Sequence, residues 1–264
     1  MQSVRPTLKS LYRHPLKGLS PEPLARVHLM AGDYFPGDRM FAIENGPSGF
    51  DPAAPAHQPK IKFLMLMRNE RLATLRTRYD DASGALVIAR DGQEAVRANL
   101  ATAQGRADVE TFFRTFMPEE LRGDPKVIAS PSGFRFTDSR RGYVSIINLA
   151  SVGALETVIG MPVDPLRFRG NLYVDGWPAW SEFDLVGREI TIGSARLKVT
   201  KRIERCAATD VDPVTGMRDL SIPRTLMRAY GHTDCGVYAE VKVGGEIATG
   251  NRVDIREPQE TLPF

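Results

Sequence analysis

Apolar residues in this chain come mostly in short runs, cut by glycine, proline and aspartate. That rhythm predicts many short strands. Residues 8–11 form a first strand candidate, followed by the turn His14-Pro15-Leu16-Lys17-Gly18. Residues 24–29 alternate weakly before Ala31-Gly32-Asp33. Residues 38–44 carry apolar positions on mixed faces, the pattern of a buried strand. Residues 46–59 hold four prolines and two glycines and predict a loop. The run 61–67, apolar except for Lys62, has strand length, and 72–79 with 85–89 predict a strand pair around Asp81-Ala82-Ser83-Gly84.

Three segments have helical spacing instead. Val109, Phe112, Phe113 and Phe116 share one face, with Asp108 as the expected cap and Pro118 as the stop. Leu149, Val152, Leu155 and Ile159 follow Asn148, a cap residue, and end at Gly160 and Pro162. Ser221 opens a third helix that runs through Leu226 to Tyr230 and closes at Gly231. The remainder returns to strands: a short one near Lys126-Val127-Ile128, then 171–174, 189–192, 196–203, 237–243 and 252–255. The sum is a mainly β chain with some α, an α+β fold. Short strands at this spacing favour barrels over a βαβ sheet. The division falls after the first helix, giving a β-barrel-like domain at 1–122 and a second β-barrel domain with a few helices at 123–264.

Composition narrows the function. The chain has 264 residues, 42% hydrophobic, enough for one large or two modest cores. A net charge of +3, from 35 Lys+Arg against 32 Asp+Glu, argues against a nucleic-acid binder but leaves room for a local basic pocket. No apolar run approaches the ~20 residues of a membrane span, and the first residues lack a secretory signal. Two cysteines make no disulfide framework and no all-cysteine iron–sulfur site. The expectation is a cytoplasmic, soluble protein that acts on neither membrane nor nucleic acid.

The chemistry concentrates at Cys206. It stands where an alternating run ends, beside Arg205 and Arg202, and precedes Asp212-Pro213-Val214-Thr215-Gly216. Neighbouring cations favour the thiolate, the form that attacks or binds soft metals. On spacing alone a packing cysteine is an equal reading, and Cys235 has only that one. Lys17 sits at a turn and reads alone as a solvated lysine. Arg39 starts a strand, where an inward guanidinium needs a partner. Arg169 follows Phe168, with a structural salt bridge as its plainer role. Asn148 and Asn171 have local capping or turning as theirs, and Arg205 a solvated flank. Glu182 and Asp184 are exposed turn residues, with a proton donor as the sharper alternative.

Four stretches resemble the MOSC family, named after the C-terminal region of molybdenum cofactor sulfurase. They are Leu11-Tyr12-Arg13-His14-Pro15-Leu16-Lys17-Gly18, Gly37-Asp38-Arg39-Met40-Phe41-Ala42-Ile43, Phe168-Arg169-Gly170-Asn171 and Arg205-Cys206 with Thr209 to Gly216. Gly170 stands where proline is usual, and Ile203-Glu204 where relatives often have cysteine-serine. The resemblance covers nearly the whole chain. It implies an N-terminal β-barrel domain followed by a MOSC domain, similar to the mitochondrial amidoxime-reducing component.

That resemblance implies a molybdenum cofactor, with Cys206 as catalytic residue and metal ligand. It implies that Lys17, Arg39, Asn148, Arg169, Asn171 and Arg205 bind the cofactor. It further implies reduction of N-hydroxylated compounds by electrons from a separate ferredoxin- or cytochrome-type protein. The rival reading is a cofactor carrier, or a sulfur-transfer protein with a Cys206 persulfide.

Overall fold

The computed structural model describes residues 5–139 and 143–256. In chain order the elements are β1 (Thr7–Arg13), β2 (Glu22–Leu24), β3 (Arg26–Leu29), β4 (Phe41–Asn45), β5 (Leu75–Tyr79), β6 (Ala85–Arg90), β7 (Gln93–Asn99), α1 (Ala103–Phe116) and β8 (Pro125–Ala129). They continue with β9 (Val144–Asn148), α2 (Leu149–Ile159), β10 (Leu172–Asp175), β11 (Glu189–Ile192), β12 (Ala195–Glu204), α3 (Ile222–Tyr230), β13 (Asp234–Val243), β14 (Gly245–Ala248) and β15 (Val253–Ile255). The fold is mainly β with α, as the patterning predicts, and its largest sheet curls into a half-barrel.

That sheet has eight strands in the order β15-β11-β12-β13-β9-β10-β1-β2. Only the β9–β10 pair within it is parallel. Its inner face is lined by Leu8, Leu11, Ile146, Leu172, Leu197 and Val237, all fully buried. A second core lies among β4 to β7 and α1, around Leu64, Leu86, Val109 and Phe113. Each such side chain taken from water stabilises the fold by about 1.5–3 kcal/mol. A third core packs α2 and α3 against the sheet through Ile147, Leu155, Ile222 and Leu226.

Strand pairing does not follow a division at residue 122. β1 pairs with β10, and β3 with β14, so the N-terminal strands complete the sheet of the second half. β8 lies past that division and pairs with β4. The two halves are therefore interlocked around the region between their cores.

Local differences from the predicted elements have identifiable causes. The run 61–67 is not a strand. It starts as the 3-10 turn Lys60–Lys62 and touches β4 through one bridge, Glu44 to Phe63. Asn69 Oδ1 accepts from Met65 N at 3.1 Å, holding the segment as a loop threaded between cores. Its hydrophobicity reports burial, not extension. Helix α1 begins at Ala103, where Thr102 accepts from Gly105 N. Asp108 lies inside the helix and accepts from Gln104 instead. Gly105 permits the early start, because a Cβ there would come within 2.0 Å of Asn99 O. Ser221 precedes α3 without a capping hydrogen bond; Asp210 Oδ1 takes Ile222 N at 2.7 Å in its place. Strands β7, β9 and β14 have no counterpart in the predicted set. β9 is buried along its whole length, so it shows no alternation to read.

Candidate functional site

A cavity of about 500 Å³ opens between the two halves. Such a volume lies within the ~300–1,000 Å³ common for small-molecule sites. Among the described residues, eight basic side chains line it against four acidic ones. Lys17, Arg39, Arg169, Asn171, Arg205 and Cys206 all stand on its wall.

Lys17 is brought in by the turn after β1. Its backbone N donates to Phe41 O, and Gly18 at φ 84° passes so close to Leu64 O that a Cβ would sit 2.9 Å away. The ammonium donates to Phe136 O at 3.0 Å and to Asp138 at 2.5 Å. Burial pulls its pKa down, while Asp138 works the other way.

Arg39 and Arg169 both adopt left-handed backbone, with φ of 49° and 51°. Bulky residues seldom accept that region, and such strain gathers at functional sites. They face each other, Arg39 Nη2 standing 3.4 Å from Arg169 O. Their electrostatics differ. Burial disfavours the Arg39 charge, but its ion pair with Asp38 more than offsets this and raises its pKa. Arg169 has no carboxylate partner among the described residues. Burial first, then Arg39, pulls its pKa down to about 10. Its Nη1 donates to Leu19 O at 2.8 Å, whereas Nη2 is buried without a partner. His14, fully buried beside them, has its pKa lowered to about 3 by burial and then by Arg169. It is neutral at physiological pH.

Cys206 stands two residues past the end of β12 and opens the 3-10 turn Ala207–Asp210. Its carbonyl accepts from Thr209 N at 3.0 Å and Thr209 Oγ1 at 2.9 Å, and its thiol is free and partly exposed. Arg205 is committed to backbone. Nε donates to Cys235 O at 2.7 Å and Nη1 to Phe168 O at 2.8 Å, with the guanidinium over the Phe168 ring. It braces the thiol's flank. Arg202, also on the cavity wall, stacks over Phe183, 4.3 Å from that ring. Cys235 is fully buried, and burial pushes its thiol up to about 12.

The two asparagines are placed differently. Asn171 reaches the cavity wall, yet its amide is already used. Oδ1 accepts from Ser145 N and Oγ, and Nδ2 donates to Tyr12 O. It knits three strands together beneath the site. Asn148 is absent from the wall. It caps α2 by accepting from Ala150 N and donates to Pro178 O and Glu182 Oε2, both at 2.8 Å. It is fully buried, outside the residues that line the cavity, and has the capping role that was its plainer reading. Glu182 is likewise fully buried among Asn148 and Ser151, not exposed, and burial raises its pKa.

Sequence reasoning missed Arg167, Lys60, Lys201 and Tyr238, all on the wall. Arg167 was within reach of it, since it stands one residue before the matched Phe168-Arg169 pair. Lys60 and Lys201 carry no local signal, because exposed lysines in turns and strands are common.

Family models match the two halves in the same order: the MOSC N-terminal beta barrel domain over residues 5–123 and the MOSC domain over 134–254. The chain belongs to the MOSC family. This MOSC protein is 34% identical over 92 residues to a molybdenum cofactor sulfurase of Caenorhabditis elegans, covering 32% of this chain and 13% of that one. It is 30% identical over 122 residues to mitochondrial amidoxime reducing component 2 of Bos taurus, covering 42% and 36%. It is 25% identical over 181 residues to mitochondrial amidoxime-reducing component 1 of Xenopus laevis, covering 65% and 48%. The matched region thus spans less than half the length of each of these relatives.

Proposed function

We propose that this MOSC protein binds a molybdenum cofactor in the cavity between its halves and reduces N-hydroxylated compounds. One observation carries the reading: a free, partly exposed thiol shares a cationic cavity with a buried guanidinium N–H that has no acceptor. A pterin phosphate is an acceptor of the right charge for that N–H, and thiolate is a fitting ligand for a soft, redox-active metal. The residues therefore fit the group. Cys206 would bind the metal, and Lys17, Arg39 and Arg169 would hold the anionic end. Asn171 and Arg205 would keep the wall in shape.

When bound, the cofactor supplies the electron chemistry. The chain's own part is to bind, orient and neutralise. Reductive loss of an N-hydroxyl oxygen as water consumes two electrons and two protons, so a separate ferredoxin- or cytochrome-type protein would feed the site. The names of the bovine and frog relatives support a reductase; that of the nematode relative supports sulfur chemistry at the same thiol.

The test is purification from a host that makes the cofactor, followed by metal analysis and fluorescence of the oxidised pterin. The expected result is molybdenum with pterin in the native protein, loss of molybdenum in Cys206→Ala, and reduction of an amidoxime by a chemically reduced dye. Protein without molybdenum would overturn the reading. Molybdenum without turnover would move it to a carrier, and an added sulfur mass on Cys206 to sulfur transfer.

A further inference from the structure

We propose that Arg167 is the positioning residue that fixes where the Cys206 thiol lies. The inference rests on Cys206 being the working thiol, and it concerns a side chain to which the matched motifs give no task.

Arg167 belongs to the 3-10 turn Pro165–Phe168, which Asp164 caps by accepting from Leu166 N. Its side chain is only 2% exposed. Nη1 donates to Asp210 O at 3.1 Å, and Nη2 donates to Asp212 at 3.0 Å and to Asp219 at 2.8 Å. Those three acceptors mark the end of the turn that Cys206 opens and both ends of the loop that follows. Asp212 passes the restraint on, because its other oxygen accepts from Val214 N, Thr215 N and Thr215 Oγ1. Val211 between them is buried in the core of the N-terminal half.

Only one 3-10 turn separates Cys206 from Asp210, and Cys206 O is tied inside it to Thr209. Fixing the carbonyl of Asp210 therefore fixes the cysteine backbone. On the other flank Arg205 donates to Phe168 O, the residue after Arg167. Both restraints are thus rooted in the same short turn, and the thiol is held between them. A planar fork reaching three acceptors is a task for arginine; a lysine ammonium cannot match its spread. A metal ligand needs such support, since small displacements spoil a site.

The experiment is alkylation of the full chain, made without cofactor, by iodoacetamide under native conditions, with each cysteine followed by mass spectrometry. Cys235 is the internal control, because it is fully buried. Arg167→Gln is expected to shift the Cys206 rate by about threefold or more while Cys235 stays unlabelled, since local opening leaves the global fold intact. Asp219→Asn should shift it in the same direction by less, and Arg167→Lys should lie between native and Arg167→Gln. A Cys206 rate unchanged within that factor would overturn the proposal. So would labelling of both cysteines together, which would make Arg167 a general support of the fold. If Arg167→Gln does not fold, Asp219→Asn and Arg167→Lys are judged by the same criteria. None of these outcomes depends on molybdenum, so failure of the cofactor reading is seen separately, in the metal analysis.

Discussion

Arg39 and Arg169 face one cavity with the same strained backbone, yet removing their charges should have opposite effects on the cofactor-free protein. Arg169 is a half-buried cation without a carboxylate partner among the described residues. Its pKa, pulled down to about 10, marks a charge disfavoured by roughly 3 kcal/mol. Arg169→Met keeps the stem and the backbone conformation and removes that charge. It also deprives Leu19 O of its donor, which costs about 1–2 kcal/mol. The net gain is about 1–2 kcal/mol, or a rise in Tm of about 2–8 °C. Arg39→Met instead leaves the carboxylate of Asp38, 3% exposed, without its cationic partner and with the His14 backbone N–H at 2.7 Å as its remaining donor. Breaking a buried pair in that way costs about 3–5 kcal/mol, a fall of roughly 6 °C or more. Thermal unfolding of both variants, made without cofactor, is the assay. Cofactor retention should fall in both, whatever the sign in Tm. If Arg169→Met melts below native, or the two variants move together, the electrostatic account of the cavity is wrong.

Three further outcomes follow from the same structure. His14 is neutral when folded and has a pKa near 3, below its ordinary 6.5, so the unfolded chain takes up a proton that the native one refuses as pH falls. Native stability should therefore drop by roughly 2–3 kcal/mol more than that of His14→Leu between pH 6.5 and 4.5 in urea titrations; parallel curves would contradict this. Thr102→Ala should cost about 1 kcal/mol as a lost cap, while Asp108→Ala stays within about 0.5 kcal/mol, read from denaturant midpoints. The reverse order would restore Asp108 as the helix start. Asn148→Ala should destabilise by about 2–4 kcal/mol, through the lost cap and the loss of one of the donors to buried Glu182, which keeps Ser151. It should leave molybdenum per folded molecule unchanged in metal analysis, and a selective loss of metal would put Asn148 back in the site.

Much of the architecture could be read along the chain, because its signals are local. Glycine and proline mark the turns, the Phe112-Phe113-Phe116 stripe marks α1, and Asn148 before an apolar face marks the start of α2. The thiol just past the end of β12 stood out for the same reason: the pattern of β12 stops before it and a turn follows. Segments that failed to announce themselves are those whose environment is not local. β9 is buried on both faces, and the run 61–67 is apolar because it crosses between cores, not because it pairs.

By itself, then, the sequence determined a mainly β chain with three short helices, one thiol at a strand end, and basic residues scattered around it. Only the tertiary structure decided which of those residues do what. Arg169 meets Leu19, 150 positions away, and Lys17 meets Asp138 across 121. Asn148 turns to Glu182 and away from the cavity, while Arg167 reaches forward to Asp212 and Asp219. Whether a buried charge is paired, stranded or free for a ligand depends on what lies within a few ångströms, and that is set by packing between distant segments.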